Sequence, residues 1–294
     1  MKMNVLVLGG SGMLGSDLVH TLERSDVHLT VTGRSKFPSS GRTSRVHFAV
    51  GEPGLQQILE KYGPGDVVVN CIGLIKHHLD DGDKRHRLDA IRVNAEFPYA
   101  LADIAERQGF RVIQIATDCV YSGALGSYVE TSVHDAGDVY GKTKSLGEVP
   151  SDQFLNLRCS IIGRELTGST SLVEWLLSQP LRSTIRGFTD HHWNGLTTDA
   201  FARIATGLIS SRNKVSGTFH IIPADRVTKN ELAQMVLSHF GREDITVVPT
   251  LTGNLVDRTL ATLHPETNEE LWALGGYSAP PTIGHMVRSL ATSY

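Results

Sequence analysis

The sequence predicts an α/β fold: a Rossmann-like, doubly wound parallel sheet with a smaller, partly interleaved C-terminal region. Three observations predict it. β-Branched runs alternate with amphipathic segments through the first half of the 294-residue chain, as parallel strands joined by crossover helices require. The run Asp66–Cys71 reads Asp-Val-Val-Val-Asn-Cys, apolar at its centre without alternation, like a strand covered on both faces. The first strand, Asn4–Leu8, ends directly in Gly9-Gly10-Ser11-Gly12-Met13-Leu14-Gly15.

The elements follow in order. Gly12–Arg24 reads as a helix with Leu14, Leu18, Val19 and Leu22 on one face. His28–Thr32 and Arg45–Val50 read as the second and third strands. Leu55, Ile58 and Leu59 mark a short helix before the fourth, Asp66–Cys71. Leu88–Arg107 reads as one long helix, kinked at Pro98 because proline lacks the N–H and crowds the preceding turn. Phe110–Ala116 and Phe154–Cys159 are the fifth and sixth strands. Further on, Leu172–Leu177, Thr198–Ile209 and Lys229–Phe240 read as helices and Gly217–Ile222 as a strand. The end is rich in Pro and Gly (Pro265, Gly275, Gly276, Pro280 and Pro281). Residues 1–160 are thus expected to form a dinucleotide-binding domain, completed by residues near 197–222. Residues 161–196 and 223–294 are expected to form a substrate-binding region over the carboxyl ends of the strands, where open α/β sheets place ligands.

Composition excludes several classes. The 28 Lys and Arg and 31 Asp and Glu give a net charge of -3, without the basic excess of a nucleic-acid or membrane-surface binder. A hydrophobic content of 40% at that charge excludes a disordered chain. No apolar stretch approaches the ~20 residues that span a bilayer. The apolar start meets glycines at once and lacks a small-residue cleavage site, so it does not read as a signal peptide. Cys71, Cys119 and Cys159 lack the close spacing of a metal or redox motif. They read as small buried hydrophobes in a reducing compartment, and the expected location is cytoplasmic.

The glycines at 9, 12 and 15 close a strand and open a helix. Glycine there lets the backbone turn tightly and approach a pyrophosphate, and the free N–H groups of the helix start stabilise the anion. No Gly-Lys-Ser/Thr follows, so this is not a kinase-type phosphate loop. A carboxylate after the second strand would hold the 2′-hydroxyl of NAD. The chain has Thr32-Gly33-Arg34-Ser35-Lys36 instead. A guanidinium at Arg34, with Lys36 beside it, suits a 2′-phosphate and predicts NADP(H).

Tyr140-Gly141-Lys142-Thr143-Lys144 places a phenol and an ammonium at i and i+4, on one face of a helix. A free tyrosine titrates near 10, and a neighbouring lysine cation, helped by the positive charge of an oxidised nicotinamide, is expected to lower that value. Tyr140 is then a candidate general acid or base, and Lys144 a candidate ligand of the nicotinamide ribose. Thr117 ends the fifth strand, where its hydroxyl can hold a substrate carbonyl. In the second half, Gly187–Gly195 is dense in aromatic and polar groups. Trp193 is a candidate to stack on a base or sugar, Asn194 to bind a hydroxyl or phosphate, and Arg258 to pair with a pyrophosphate. Each has an equal claim to a purely packing role. His77-His78 and His191-His192 do not predict a metal, since adjacent side chains point apart and no acidic partner stands at useful spacing.

The glycine loop, Thr117-Asp118 and the Tyr140/Lys144 pair resemble the extended short-chain dehydrogenase/reductase family, and within it the dTDP-4-dehydrorhamnose reductase-like sugar-nucleotide 4-ketoreductases. Asn70-Cys71-Ile72-Gly73, Val93-Asn94-Ala95, Tyr140–Glu148 and Leu157-Arg158-Cys159-Ser160 match as well. The resemblance is strong over residues 4 to 164. It implies NADPH-dependent reduction of the C4 ketone of a dTDP- or UDP-linked 4-keto-6-deoxyhexose, in deoxysugar or polysaccharide biosynthesis. In that scheme Thr117, Tyr140 and Lys144 are catalytic. Gly9, Ser11, Gly12, Met13, Leu14, Arg34, Cys71, Ile72 and Gly73 line the cofactor, and Asp118 and Cys119 meet the sugar. Rhamnose-forming members usually carry an aromatic residue where this chain has Cys119, and Trp where it has Ile161. Those positions look more like a sister branch of polysaccharide-biosynthesis reductases. Two rivals share the fold: an epimerase or dehydratase, and a non-catalytic NADP-binding regulatory subunit like that of methionine adenosyltransferase. A homodimer is compatible with the sequence without being encoded by any motif.

Overall fold

The computed structural model describes residues 2–34, 43–165, 170–211 and 215–293. Its main sheet contains β1 (Asn4–Leu8), β2 (His28–Gly33), β3 (Ser44–His47), β4 (Val67–Asn70), β5 (Arg111–Thr117), β6 (Phe154–Cys159) and a seventh strand, Gly217–His220. In space they run Gly217–His220, β6, β5, β4, β1, β2, β3, and every pairing is parallel. The order reverses between β1 and β4, so the loops leaving those two strands diverge and open a crevice at their carboxyl ends. The sequence-predicted third strand extends to Val50; the structure ends it at His47.

Strand alternation divides the core. Leu6 and Leu8 face one layer with Val68, Phe97, Leu101 and Phe110. Val5 and Val7 face the other with Leu18, Val67, Val69 and Phe201. The first layer is covered by helix α4 (Phe97–Gln108) and the short α2 (Leu55–Leu59). The second is covered by α1 (Met13–Leu22) and by the Thr198–Ser211 helix. Leu101 is fully buried, and truncation to Ala there costs about 2–5 kcal/mol.

The helix read as Leu88–Arg107 is three segments end to end: α3 (Lys84–Ala90), a wide π-helical stretch over Ile91–Glu96, and α4. Pro98, in the first turn of α4, has no N–H to give the Asn94 carbonyl. The extra residue in the turn accommodates this, and the Phe97 N–H reaches back to the Arg92 carbonyl. The wide turn also carries the Asn94 side chain. Its amide accepts from the Leu74 N–H (2.9 Å) and donates to the Leu74 carbonyl (2.9 Å) and to Thr143 (3.2 Å). One side chain thus ties the loop after β4 to α5 (Val139–Leu146).

The second half holds short strands that the sequence did not announce. Val227–Thr228 pairs antiparallel with His191–Trp193, which pairs parallel with Val256–Asp257. Thr184–Phe188 pairs with Thr246–Thr250. The proline-rich end also folds, into helices Pro265–Leu274 and Ile283–Thr292. Pro265 sits in the first turn of the former, where its missing N–H costs nothing, and Pro280 and Pro281 precede the Thr282 N-cap of the latter.

Candidate active site

The glycine loop meets α1 as a site for an anion. Gly9 adopts the left-handed conformation (φ 81°), and a Cβ there would lie 2.9 Å from the Ile72 side chain. Gly9 is therefore the residue that lets the loop after β1 lie against Cys71 and Ile72. The α1 N-cap is Gly12, which has no side chain to satisfy the first-turn N–H groups. Among the described residues no side chain caps those donors, so the residues present fit the pyrophosphate of a dinucleotide. The Gly9 N–H bonds to the Thr32 hydroxyl (3.1 Å) and the Gly10 N–H to the Thr32 carbonyl (2.9 Å), locking the loop to the end of β2. Arg34 follows at once and is exposed. Lys36 lies outside the described residues. Gly73 approaches the Asn94 amide at the base of the same crevice.

β5 and α5 converge on the crevice from the other side. Thr117 is buried, its hydroxyl donating to Asp118 (3.2 Å) and accepting from the Cys119 N–H (3.2 Å). Asp138 caps α5 by accepting from the Gly141 N–H (2.8 Å) and pairs with Lys76 (2.8 Å). Gly141 permits the close approach: a Cβ there would stand 2.3 Å from the Cys119 carbonyl. Tyr140 is thereby pressed against Thr117 and Cys119. One turn on, the Lys144 ammonium donates to the Ile115 carbonyl (2.7 Å) and is only 8% exposed.

The electrostatics correct one expectation. Lys144 does not lower the Tyr140 phenol; burial raises it, with Cys119 adding and the Thr117 contact opposing. Tyr140 is held protonated, the form that a proton donor needs. Lys144 is itself brought down to about 8 by burial, opposed by Glu148, Cys159 and Cys71. Burial pushes the Cys71 and Cys119 thiols up to about 12, so neither is a thiolate near neutral pH.

The second half supplies the outer wall. Arg258 reaches in, its Nε donating to the Tyr121 carbonyl (2.9 Å). Trp193 is only 4% exposed and donates to the Ser160 hydroxyl (2.8 Å), so its indole is part of the wall rather than an open stacking surface. Asn194 is committed to Leu260, accepting from its N–H (2.9 Å) and donating to its carbonyl (2.7 Å). It fastens the chain as a strand partner would. Asp118 is buried between, its carboxyl raised by burial and held down by Lys229 and Arg258.

Two groups escaped sequence reasoning. Lys229 joins the wall; its only local signal, Thr228-Lys-Asn-Glu231, reads as a helix cap. Behind the site, Arg158 is 1% exposed and bonds to Glu148 (2.5 Å), Tyr121 (2.7 Å), His220 (2.6 Å) and His134 (2.9 Å). This network backs α5 from Glu148, one turn past Lys144. Among the described residues no cluster of His, Cys, Asp and Glu could hold a metal, and no helix is long and apolar enough to cross a membrane.

Fold and site define a dinucleotide-binding α/β protein with a tyrosine–lysine centre. Residues 3–260 match the RmlD substrate binding domain, and the chain belongs to that family. A dTDP-4-dehydrorhamnose reductase of Streptomyces griseus is 25% identical over 283 residues, 92% of this chain and 87% of that one. The fold matches dTDP-4-dehydrorhamnose reductase from Bacillus anthracis in complex with NADP (TM-score 0.77, 17% identity, 100% of both chains). It also matches MoeE5 in complex with UDP-glucuronic acid and NAD (TM-score 0.74, 19% identity, 98% of both chains).

Proposed function

We propose that the protein is an NADP-dependent oxidoreductase that reduces the C4 ketone of a nucleotide-activated 4-keto-6-deoxyhexose in deoxysugar or polysaccharide biosynthesis. The observation that carries this is the convergence of Thr117, Tyr140 and Lys144 beside the loop at Gly9. The names of the relatives support a sugar-nucleotide substrate. Bound NADPH would supply the hydride to the carbonyl carbon. This chain's own residues do the rest. Thr117 holds the carbonyl oxygen, Tyr140 gives it a proton as charge develops, and Lys144 holds the cofactor ribose beside the phenol. Gly12, Ser11, Met13 and Leu14 take the pyrophosphate, and Cys71, Ile72 and Gly73 close the crevice. Asp118 and Cys119 border the sugar.

Arg34 supports NADPH over NADH, since a guanidinium can pair with the 2′-phosphate. It also ranks reduction above the epimerase and dehydratase chemistry of related folds, in which NAD is retained. The complete Thr117/Tyr140/Lys144 set supports turnover over a purely regulatory role. The three free cysteines suit a cytoplasmic setting. Exposed Leu88, Ile91, Tyr99 and Leu146 on the outer helices support a homodimer.

The test is NADPH oxidation by purified protein given dTDP- and UDP-linked 4-keto-6-deoxyhexoses, with NADH as control. Substrate-dependent oxidation favouring NADPH is expected. NADPH binding without turnover on either sugar class counts against the reductase and for the regulatory role.

A further inference from the structure

Lys144 is a buried cation with little to keep it charged. Among the described residues its hydrogen bond goes to a neutral group, the Ile115 carbonyl, and burial disfavours the ammonium. The titratable groups that act on it are Glu148, one turn on, Cys159 on β6 and Cys71 after β4. Burial keeps both thiols protonated. Glu148 is thus the one carboxylate among them. Gly147 ends α5 in helical backbone, and the Glu148 N–H still reaches the Ser145 carbonyl (3.3 Å). The turn therefore continues, and Lys144 and Glu148, four residues apart, share a face.

Arg158 clamps that carboxylate. Its Nε donates to one oxygen (3.0 Å) and its Nη2 to the other (2.5 Å). The remaining three N–H groups go to the Tyr121 hydroxyl, to His220 and to His134. All five donors are used, so the fork has a single orientation. Sheet register sets Arg158 opposite Ala116, between Ile115, which holds Lys144, and Thr117. The outer face of α5 is loosely packed by comparison: a cavity of about 340 Å³ lies between Val120, Ala136, Ser145 and Leu146. The helix is tied from the inside, at Thr143 by Asn94 and at Glu148 by Arg158.

We propose that Glu148 is a positioning residue of the reaction: clamped by Arg158, it fixes a negative charge behind Lys144 and keeps that lysine cationic for the cofactor ribose. The inference rests on the role given to Lys144 above and adds the residue that serves it. A carboxylate bonded directly to Lys144 would occupy the donors that the ribose needs. One whose oxygens are spent on Arg158 acts through its field and leaves those donors free.

The experiment measures NADPH affinity of the full chain by fluorescence between about pH 6 and 10, spanning the Lys144 titration. Alongside it, the Lys144 side-chain resonance is titrated by NMR in lysine-labelled protein and identified by its loss in Lys144→Arg. Wild-type affinity should fall above about 8, where the resonance titrates. Glu148→Gln keeps an acceptor for Arg158 and loses the charge, so both breaks should move down by about one pH unit. Glu148→Asp, its charge drawn back by one methylene, should move them about half as far. Tyr121→Phe loosens the Arg158 fork without removing the anion and should leave them in place. Unmoved breaks in folded Glu148→Gln overturn the proposal and leave the role of Lys144 intact. An equal shift in Tyr121→Phe also overturns it, since loosening alone would then suffice. If Glu148→Gln does not melt cooperatively, Glu148→Asp decides, and no movement there overturns the proposal. Wild-type affinity that stays level to pH 10 while the resonance titrates removes Lys144 from the ribose, and the proposal falls with that role.

Discussion

Arg158 donates to Nε2 of His220 at 2.6 Å, and the other ring nitrogen, Nδ1, bonds to the Ala261 carbonyl at 2.6 Å. Only the neutral imidazole with its proton on Nδ1 can make both bonds. Burial, with the Arg158 guanidinium adding, brings His220 down to about 4, against Glu130 pulling the other way. The unfolded chain therefore binds a proton between about pH 6.5 and 4 that the folded chain refuses. Stability is full above that window and falls as pH drops through it, by about 3 kcal/mol from this residue. Denaturant melts at pH 7 and pH 5 should show the loss in the wild type and a smaller one in His220→Gln. Equal losses would place the acid sensitivity elsewhere.

Tyr140→Phe removes the proposed proton donor and keeps the ring. Turnover should fall by about 10²–10⁴, the usual share of general acid catalysis, while the affinity for NADPH stays. Stopped-flow reduction and fluorescence titration of NADPH separate the two. Retention of most turnover would remove the phenol from the chemistry.

Lys144 titrates at about 8 because burial disfavours its charge. In the proposed scheme the protonated form holds the ribose, so kcat/KM should be flat below that value. Above it, activity should drop about tenfold per pH unit. A profile that stays level to pH 10 would mean that the charge of Lys144 is not used.

Gly141 tests positioning without touching a reacting group. An alanine methyl would stand 2.3 Å from the Cys119 carbonyl and 2.4 Å from the Ala136 side chain, so α5 must back away. Gly141→Ala should cost about 1–3 kcal/mol of stability. It should also lower kcat more than it weakens NADPH, which the proposed scheme seats on the loop at Gly9 across the crevice. Unchanged kcat would show that Tyr140 tolerates the shift.

The strand–glycine–helix unit was legible because its causes are local: β1 ends where Gly9 must turn, and the α1 start follows within a few residues. Tyr140 and Lys144 were legible for the same reason, since helix periodicity alone aligns them. The outer wall was not. Trp193 and Asn194 looked like ligands because they are aromatic and polar. The structure commits them to Ser160 and to Leu260, partners 33 and 66 residues away that no local pattern reveals. Lys229 hid inside a capping box. The electrostatic reading of Tyr140 left out burial for a related reason: spacing predicts a neighbour but not how deeply it is buried, and burial raises the phenol.

The strand Gly217–His220 gives the sheet its outer edge beside β6, and it brings His220 to Arg158 across 62 residues of chain. Until that strand arrives, β6 is an open edge, with a guanidinium that the finished molecule keeps almost wholly from water. Glu148, bound to that guanidinium, lies one turn beyond Lys144, so the far strand props the centre through Arg158. A fragment stopping near residue 160 would be an adhesive sheet, not a smaller nucleotide binder.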